Sequence, residues 1–151
     1  MLDNTDRRLL RHLQADPTQS VADLARASGV AASKAYKRLE RMEELGVLKG
    51  QRAVIDWHAL GYAVEVSLRV SLDKTEPQAF DRFIAAAREV PEVTEIQTFL
   101  GRVDVRLTVL ARDMPHYQHL YRSRILTLPH ITEIEALMHV ATIKDVEALP
   151  L

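Results

Sequence analysis

The chain has 151 residues, 47% of them hydrophobic and 27% charged, with a formal net charge of −1 and no cysteine. That is the composition of an ordinary globular protein of one domain or two small ones. It excludes disulfide staples and thiolate chemistry, and near-neutrality argues against a chain that coats nucleic acid indiscriminately. No stretch reaches the roughly 18 apolar residues of a membrane span. The start carries Asp3 and Asp6 where a signal peptide has a basic run and an apolar core, so a cytoplasmic address is expected. The charge is uneven: residues 1–52 hold ten Lys/Arg against seven Asp/Glu, and residues 53–151 hold ten against fourteen. A basic head on an acidic body suits a DNA-reading domain joined to one that does not touch DNA.

Asp3 with Asp6 three residues on predicts the N-cap of a first helix, with Leu9, Leu10 and Leu13 as its apolar stripe and Asp16-Pro17 as its end. Ser20 with Asp23 caps a short second helix carrying Val21, Leu24 and Ala25, which stops at Ser28-Gly29. A third helix starts near Ala32 and is closed by Gly46. Two short helices around a glycine-containing turn are a helix-turn-helix. On the third helix Ala35, Leu39 and Met42 share one face, and Lys34, Lys37, Arg38 and Arg41 fall on an arc centred about 100° away at 3.6 residues per turn. Such an arc can donate to guanine edges in the major groove or clamp phosphates. The alternative is a solvated face paired with Glu40, Glu43 and Glu44. Ala53-Val54-Ile55 reads as a strand, with Lys49 and Arg52 before it placed to touch phosphate as a small wing would, or to form a solvated turn.

Residues 53–61 are the expected linker, and beyond them the period changes to two. Val64, Val66, Leu68, Val70 and Leu72 alternate with Glu65, Ser67, Arg69 and Ser71. After Pro77 a helix places Phe80, Phe83, Ile84 and Ala87 on one face. Strands follow over Val93 to Phe99 and Val103 to Val109, with a turn at Gly101. Asp113 caps a helix with Met114, Tyr117, Leu120 and Tyr121 inward, and a last strand runs from Ile131 to Ala141. The order is that of a ferredoxin-like βαββαβ sandwich over residues 62–151. Helices cover one face of its sheet, and the Val/Leu-rich strands predict that a second subunit covers the other.

The whole chain resembles the Lrp/AsnC family, the leucine-responsive and asparagine regulators. The resemblance rests on Leu2-Asp3 to Asp6-Arg7, Leu24-Ala25 before Gly29, Arg38 with Arg41 through Glu43, Gly46-Val47, Leu60-Gly61-Tyr62, Val90-Pro91-Glu92-Val93, Gly101 with Asp104, Leu128-Pro129 and Leu149-Pro150. It implies a winged helix-turn-helix followed by an α/β effector-binding and oligomerisation domain. Members bind double-stranded DNA, dimerise, commonly form octamers, and many take an amino acid between neighbouring dimers. Nucleoid association in the cytoplasm follows. The ligand loop implied here is Gly101-Arg102-Val103-Asp104 after Leu100, with a glycine N–H for the ligand carboxylate and Asp104 for its ammonium. The DNA-binding set is Ser33, Lys34, Lys37, Arg38, Arg41, Lys49 and Arg52. Three departures stand out: Ala31-Ala32 where the family usually has serine, so that Ser33 is expected to cap instead, Leu100 where threonine is frequent, and Val105 where an aromatic is frequent. The effector pocket is therefore smaller, more apolar, or missing.

Six histidines raise a metal or catalytic alternative, with His116 and His119 three apart on a helix but no third ligand of evident geometry. No phosphate loop, dinucleotide glycine pattern or nucleophile elbow occurs. Neither enzymatic activity nor a cofactor is expected. Two other readings stay open: an effector-independent architectural DNA-binding protein, and a tetrapyrrole decarboxylase of the kind that resembles this family. The cationic arc argues against the second.

Overall fold

The computed structural model describes residues 1–145 and 148–151, and Val146 and Glu147, inside the expected 62–151 domain, lie outside the described residues. The chain divides into two compact units. One comprises residues 1–54 with 144–151, the other residues 55–143.

In the first unit, α1 (Asn4–Ala15), α2 (Val21–Ala27) and α3 (Ala32–Glu44) enclose Leu9, Leu24, Ala25, Ala35 and Met42. Each start and stop has a local cause. Asp3 and Asp6 form a reciprocal capping box on α1, and the Ser20 side chain accepts the Asp23 N–H on α2. Gly29 (φ 68°) and Gly46 (φ 67°) take the left-handed conformation after α2 and α3. There Val30 N donates to Ala25 O at 3.0 Å and Val47 N to Met42 O at 2.9 Å, the six-residue closure that turns the chain sharply after a helix. The α3 start differs from expectation. Its N-cap is Ala31, which offers no side-chain acceptor, and Ser33 sits two positions past the cap, inside the first turn.

One further expectation fails next to these helices. Residues 49–56 are exposed and belong to no helix or strand, because Val54 and Ile55 find no backbone ladder among the described residues. The wing is thus reduced to a stretch carrying Lys49 and Arg52. The last residues of the chain meet α1. Gln14 Nε2 donates to Leu149 O at 2.8 Å, Gln14 Oε1 accepts from Leu149 N at 2.9 Å, and Arg11 Nη2 donates to Leu151 O at 2.6 Å.

The second unit is βαββαβ: β1 (Val64–Leu72), α4 (Ala79–Arg88), β2 (Val93–Thr98), β3 (Val105–Ala111), α5 (Met114–Leu120) running into one π-turn (Tyr121–Ile125), and β4 (Ile131–Met138). The sheet is antiparallel in the order β2-β3-β1-β4. Alternation puts Val66, Leu68 and Val70 of β1 beside Val105, Leu107 and Val109 of β3, all fully buried with Phe83, Ala87, Leu120 and Ile125. Burying one such Leu or Phe is worth about 1.5–3 kcal/mol. Phe80 and Met114, expected inward, are exposed, since each lies in the first turn of its helix. The last strand ends at Met138, short of Ala141, with a final bond from His139 N to Glu65 O at 2.9 Å.

The sheet's other face differs in character from what the Val/Leu-rich strands lead us to expect. The Val/Leu stripe is wholly used against the helices, and the face without helices carries Glu65, Ser67, Arg69 and Ser71 beside Arg106 and Thr108. It is laced by Arg106–Glu95 and Arg69–Glu135 ion pairs, each at 3.7 Å. A surface that covers this face meets mainly polar groups, with Leu110 opposite Glu65 and Leu137 opposite Ser67 among them. Among the described residues no helix is long and apolar enough to cross a membrane.

Candidate DNA interface and effector loop

The turn Ser28–Ala31 delivers α3 with Ala35 and Met42 fully buried, which leaves its opposite side to solvent. Ser33, Lys34, Lys37, Arg38 and Arg41 line one open hollow on that side. Ser33, Lys34, Lys37 and Arg41 are exposed, and Arg38 is half-buried. Lys49 and Arg52 lie exposed in the irregular segment beyond Gly46.

The cations of α3 are not equivalent. The Arg38 guanidinium lies 2.8 and 2.7 Å from the two carboxylate oxygens of Asp3, and 2.7 Å from Oδ1 of Asp6. Arg41 Nη2 reaches Asp6 Oδ2 at 3.5 Å. Asp6 is fully buried, and a buried carboxylate without a counter-ion is strongly unfavourable. The backbone N–H of Asp6 and then the Arg38 guanidinium hold the Asp3 carboxyl down at about 2. Arg38 is itself pushed up, chiefly by Asp3. Asp3 and Asp6 are legible in sequence as a helix cap. Their second task, holding a cation on another helix, leaves no sequence signal.

The β2–β3 loop brings Leu100, Gly101, Arg102, Val103 and Asp104 together against the end of β1. Phe99 N donates to Asp104 O and Asp104 N to Val70 O, both at 2.9 Å. Ser71 Oγ donates to Arg102 O at 2.8 Å. One Asp104 oxygen accepts the Leu72 N–H at 2.8 Å, and the other lies 3.5 Å from Lys74 Nζ. The Lys74 ammonium is equally 3.5 Å from Gly101 O. Gly101 has φ 154° with open space where a Cβ would stand, so the backbone angle and not crowding asks for glycine. Leu100 projects fully into solvent. Lys74, Ser71 and Leu72 were missed by the sequence reading, since only the strand pairing brings them to the loop.

His116 Nδ1 accepts the Arg112 N–H at 3.1 Å and thereby closes the turn before α5. Among the described residues no three His, Cys, Asp or Glu side chains are grouped to hold a metal ion.

Two family models match: the AsnC-type helix-turn-helix domain over residues 2–43 and the Lrp/AsnC ligand-binding domain over residues 65–149. Among relatives, the proline dehydrogenase transcriptional activator of Rhodobacter capsulatus is 34% identical, with 87% of this chain and 85% of the relative covered. The DNA-binding transcriptional activator DecR of Escherichia coli is 29% identical, over 100% of this chain and 99% of its own. Among solved structures, an AsnC family regulator from Agrobacterium tumefaciens superposes with a TM-score of 0.87 at 31% identity, covering 99% and 97% of the two chains. A Neisseria meningitidis transcriptional regulator in complex with L-Met shares the fold, with a TM-score of 0.90 at 23% identity over 99% and 97%. The chain belongs to the Lrp/AsnC family of transcriptional regulators, with a DNA-binding helix-turn-helix ahead of a ligand-binding α+β domain.

Proposed function

We propose that this regulator binds double-stranded DNA with the exposed face of α3 and that an amino acid at the β2–β3 loop modulates its assembly or its DNA affinity. The observation that carries the reading is the gathering of Ser33, Lys34, Lys37 and Arg41 on one solvent-facing side of a helix whose opposite side is fully buried. Residues early in such a helix reach base edges, and later cations reach phosphates. Lys49 and Arg52 extend the phosphate contact. Support for an amino-acid effector comes from the L-Met complex of the Neisseria neighbour and from the chemistry of the loop. Asp104 is an acceptor for an ammonium, and Lys74 beside it is a cation for a carboxylate. Leu100, Arg102 and Val103 frame that pair.

The protein acts as a homodimer that assembles further to an octamer, in the cytoplasm and on the nucleoid, and carries out no catalysis. The helix-free face of the sheet supports the dimer. Arg106 Nε is buried there without a hydrogen-bond partner, and its complement across an interface is polar.

The deciding experiment is a titration of the full chain onto its own upstream region at fixed salt, with and without each of the twenty amino acids. Binding shifted by one amino acid establishes the effector and names it. Tight, unresponsive binding replaces this reading with an architectural one, and absence of binding removes it.

A further inference from the structure

We infer that Arg38 is a positioning residue for DNA reading and not a DNA contact: pinned between Asp3 and Asp6, it fixes the rotation of α3 about its own axis so that Ser33, Lys34 and Lys37 meet the bases in one register. This rests on α3 being the recognition helix.

Three observations carry it. First, Arg38 makes three contacts of 2.7–2.8 Å with two carboxylates, neither of which can follow it if it leaves. Asp3 Oδ1 already accepts the N–H groups of Thr5 and Asp6, and Asp6 Oδ2 accepts the Asp3 N–H at 3.0 Å. The capping box of α1 is therefore a rigid bracket. Secondly, departure of Arg38 toward a phosphate would leave fully buried Asp6 its bond from the Asp3 N–H but, for a counter-ion, the distant Arg41 at 3.5 Å. Trading a buried, short-range ion pair for a solvated phosphate contact is unfavourable. Thirdly, the two arginines differ in freedom: the Arg38 side chain is 20% exposed and that of Arg41 49%. Arg41 is the exchangeable member, held by one long contact and free to take a phosphate.

The geometry makes rotation costly to specificity. Side-chain tips stand about 5–6 Å from a helix axis, so a rotation of about 20° displaces them by about 2 Å. A base-edge hydrogen bond has a window of about 0.5 Å between its usual limits. Phosphate contacts tolerate such a shift, because the long cations follow a charge that runs along the whole backbone. Loss of the bracket thus removes discrimination before it removes affinity.

The test uses the full chain, a duplex selected by the wild-type protein from a random-sequence pool, and a scrambled duplex of the same length. Both are titrated by fluorescence anisotropy across a salt series. Lys37→Ala marks direct contact: it weakens binding to both duplexes and lowers the slope of log K against log salt by about one. Arg38→Gln leaves scrambled-duplex affinity and slope at wild-type values and lowers affinity for the selected duplex about tenfold or more. Asp3→Asn keeps the cap, so it folds even if Arg38→Gln does not, and removes one anchor of Arg38. It too lowers the selected-to-scrambled ratio, although deleting a negative charge near DNA would by electrostatics alone tighten binding.

A slope reduced by Arg38→Gln as by Lys37→Ala, or tighter binding of the selected duplex by Asp3→Asn, overturns the inference while leaving α3 as the recognition helix. Lys37→Ala without effect on either duplex removes the recognition-helix reading, and the inference with it.

Discussion

Asp104→Ala removes more than a ligand contact, and its cost can be worked from the structure. The carboxylate accepts the Leu72 N–H at 2.8 Å, where the register of β1 with β4 slips between Ser71 and Leu72. Leu72 is 5% exposed and the Asp104 side chain 19%, so water does not replace the lost acceptor freely. A hydrogen bond to a charged group contributes about 1.5–3 kcal/mol, and an abandoned buried N–H costs a comparable amount. About 2 kcal/mol is expected for Asp104→Ala, which for a unit of this size is a fall in midpoint of roughly 10 °C. Asp104→Asn keeps an oxygen for Leu72 and is expected to cost about 0.5–1 kcal/mol, while losing the charge that attracts an ammonium. Urea unfolding, read as a change in midpoint at constant slope, measures both, and calorimetry with the responding amino acid measures the site. Equal stability of the two variants, within about 0.3 kcal/mol, refutes the bracing role of the carboxylate. A full amino-acid response in the stable Asp104→Asn protein refutes its role as the ammonium acceptor.

Ala31→Ser gives α3 the side-chain acceptor that it lacks and raises stability by about 1 kcal/mol; thermal unfolding of the full chain checks it, and no gain means the first-turn N–H groups are already satisfied. Phe83→Ala empties a fully buried site in the α/β core and costs about 3–5 kcal/mol, visible as a lowered transition of the second unit. The depressed carboxyl of Asp3 gives a sign for acid. Its folded value of about 2 lies below the ordinary 3.8, so its stabilisation is complete above about pH 4 and is lost as pH falls through about 2. In an acid titration followed by circular dichroism, Asp3→Asn therefore starts lower at neutral pH and converges with wild type near pH 2.

What was legible in the sequence was local. The caps at Asp3, Ser20 and Asp113 and the stops at Gly29 and Gly46 are backbone devices of three to six residues, and each stands where its spacing put it. The alternation of β1 and β3 survived for the same reason, since a period of two needs no partner to be recognised. Features that depend on a partner did not survive as well. Ala53-Val54-Ile55 has the composition of a strand and no ladder to join. The Val/Leu alternation showed that one face is apolar but not that the helices consume all of it. The π-turn at Tyr121–Ile125 had no sequence signal.

The sites repeat this lesson in charge. A sequence counts Lys34, Lys37, Arg38 and Arg41 as four equal cations, and periodicity puts them on one arc. Whether a charge is available depends on what already neutralises it, and that partner lies 32–35 residues away at the start of α1. In the same way Asp104 reads as one free carboxylate in a turn, yet half of its acceptor capacity is committed to Leu72, 32 residues earlier. In both places the committed group holds the backbone that presents a less tightly held one: Arg38 holds α3 for Lys34 and Lys37, and the Leu72 bond holds the loop for the second Asp104 oxygen, whose Lys74 partner stands at 3.5 Å. On the proposed reading, recognition of DNA depends on a residue, Arg38, that does not itself touch DNA, and recognition of effector on a residue, Asp104, that braces the loop as well as offering a contact. Substitutions at those residues should alter discrimination between ligands more than the strength of binding itself.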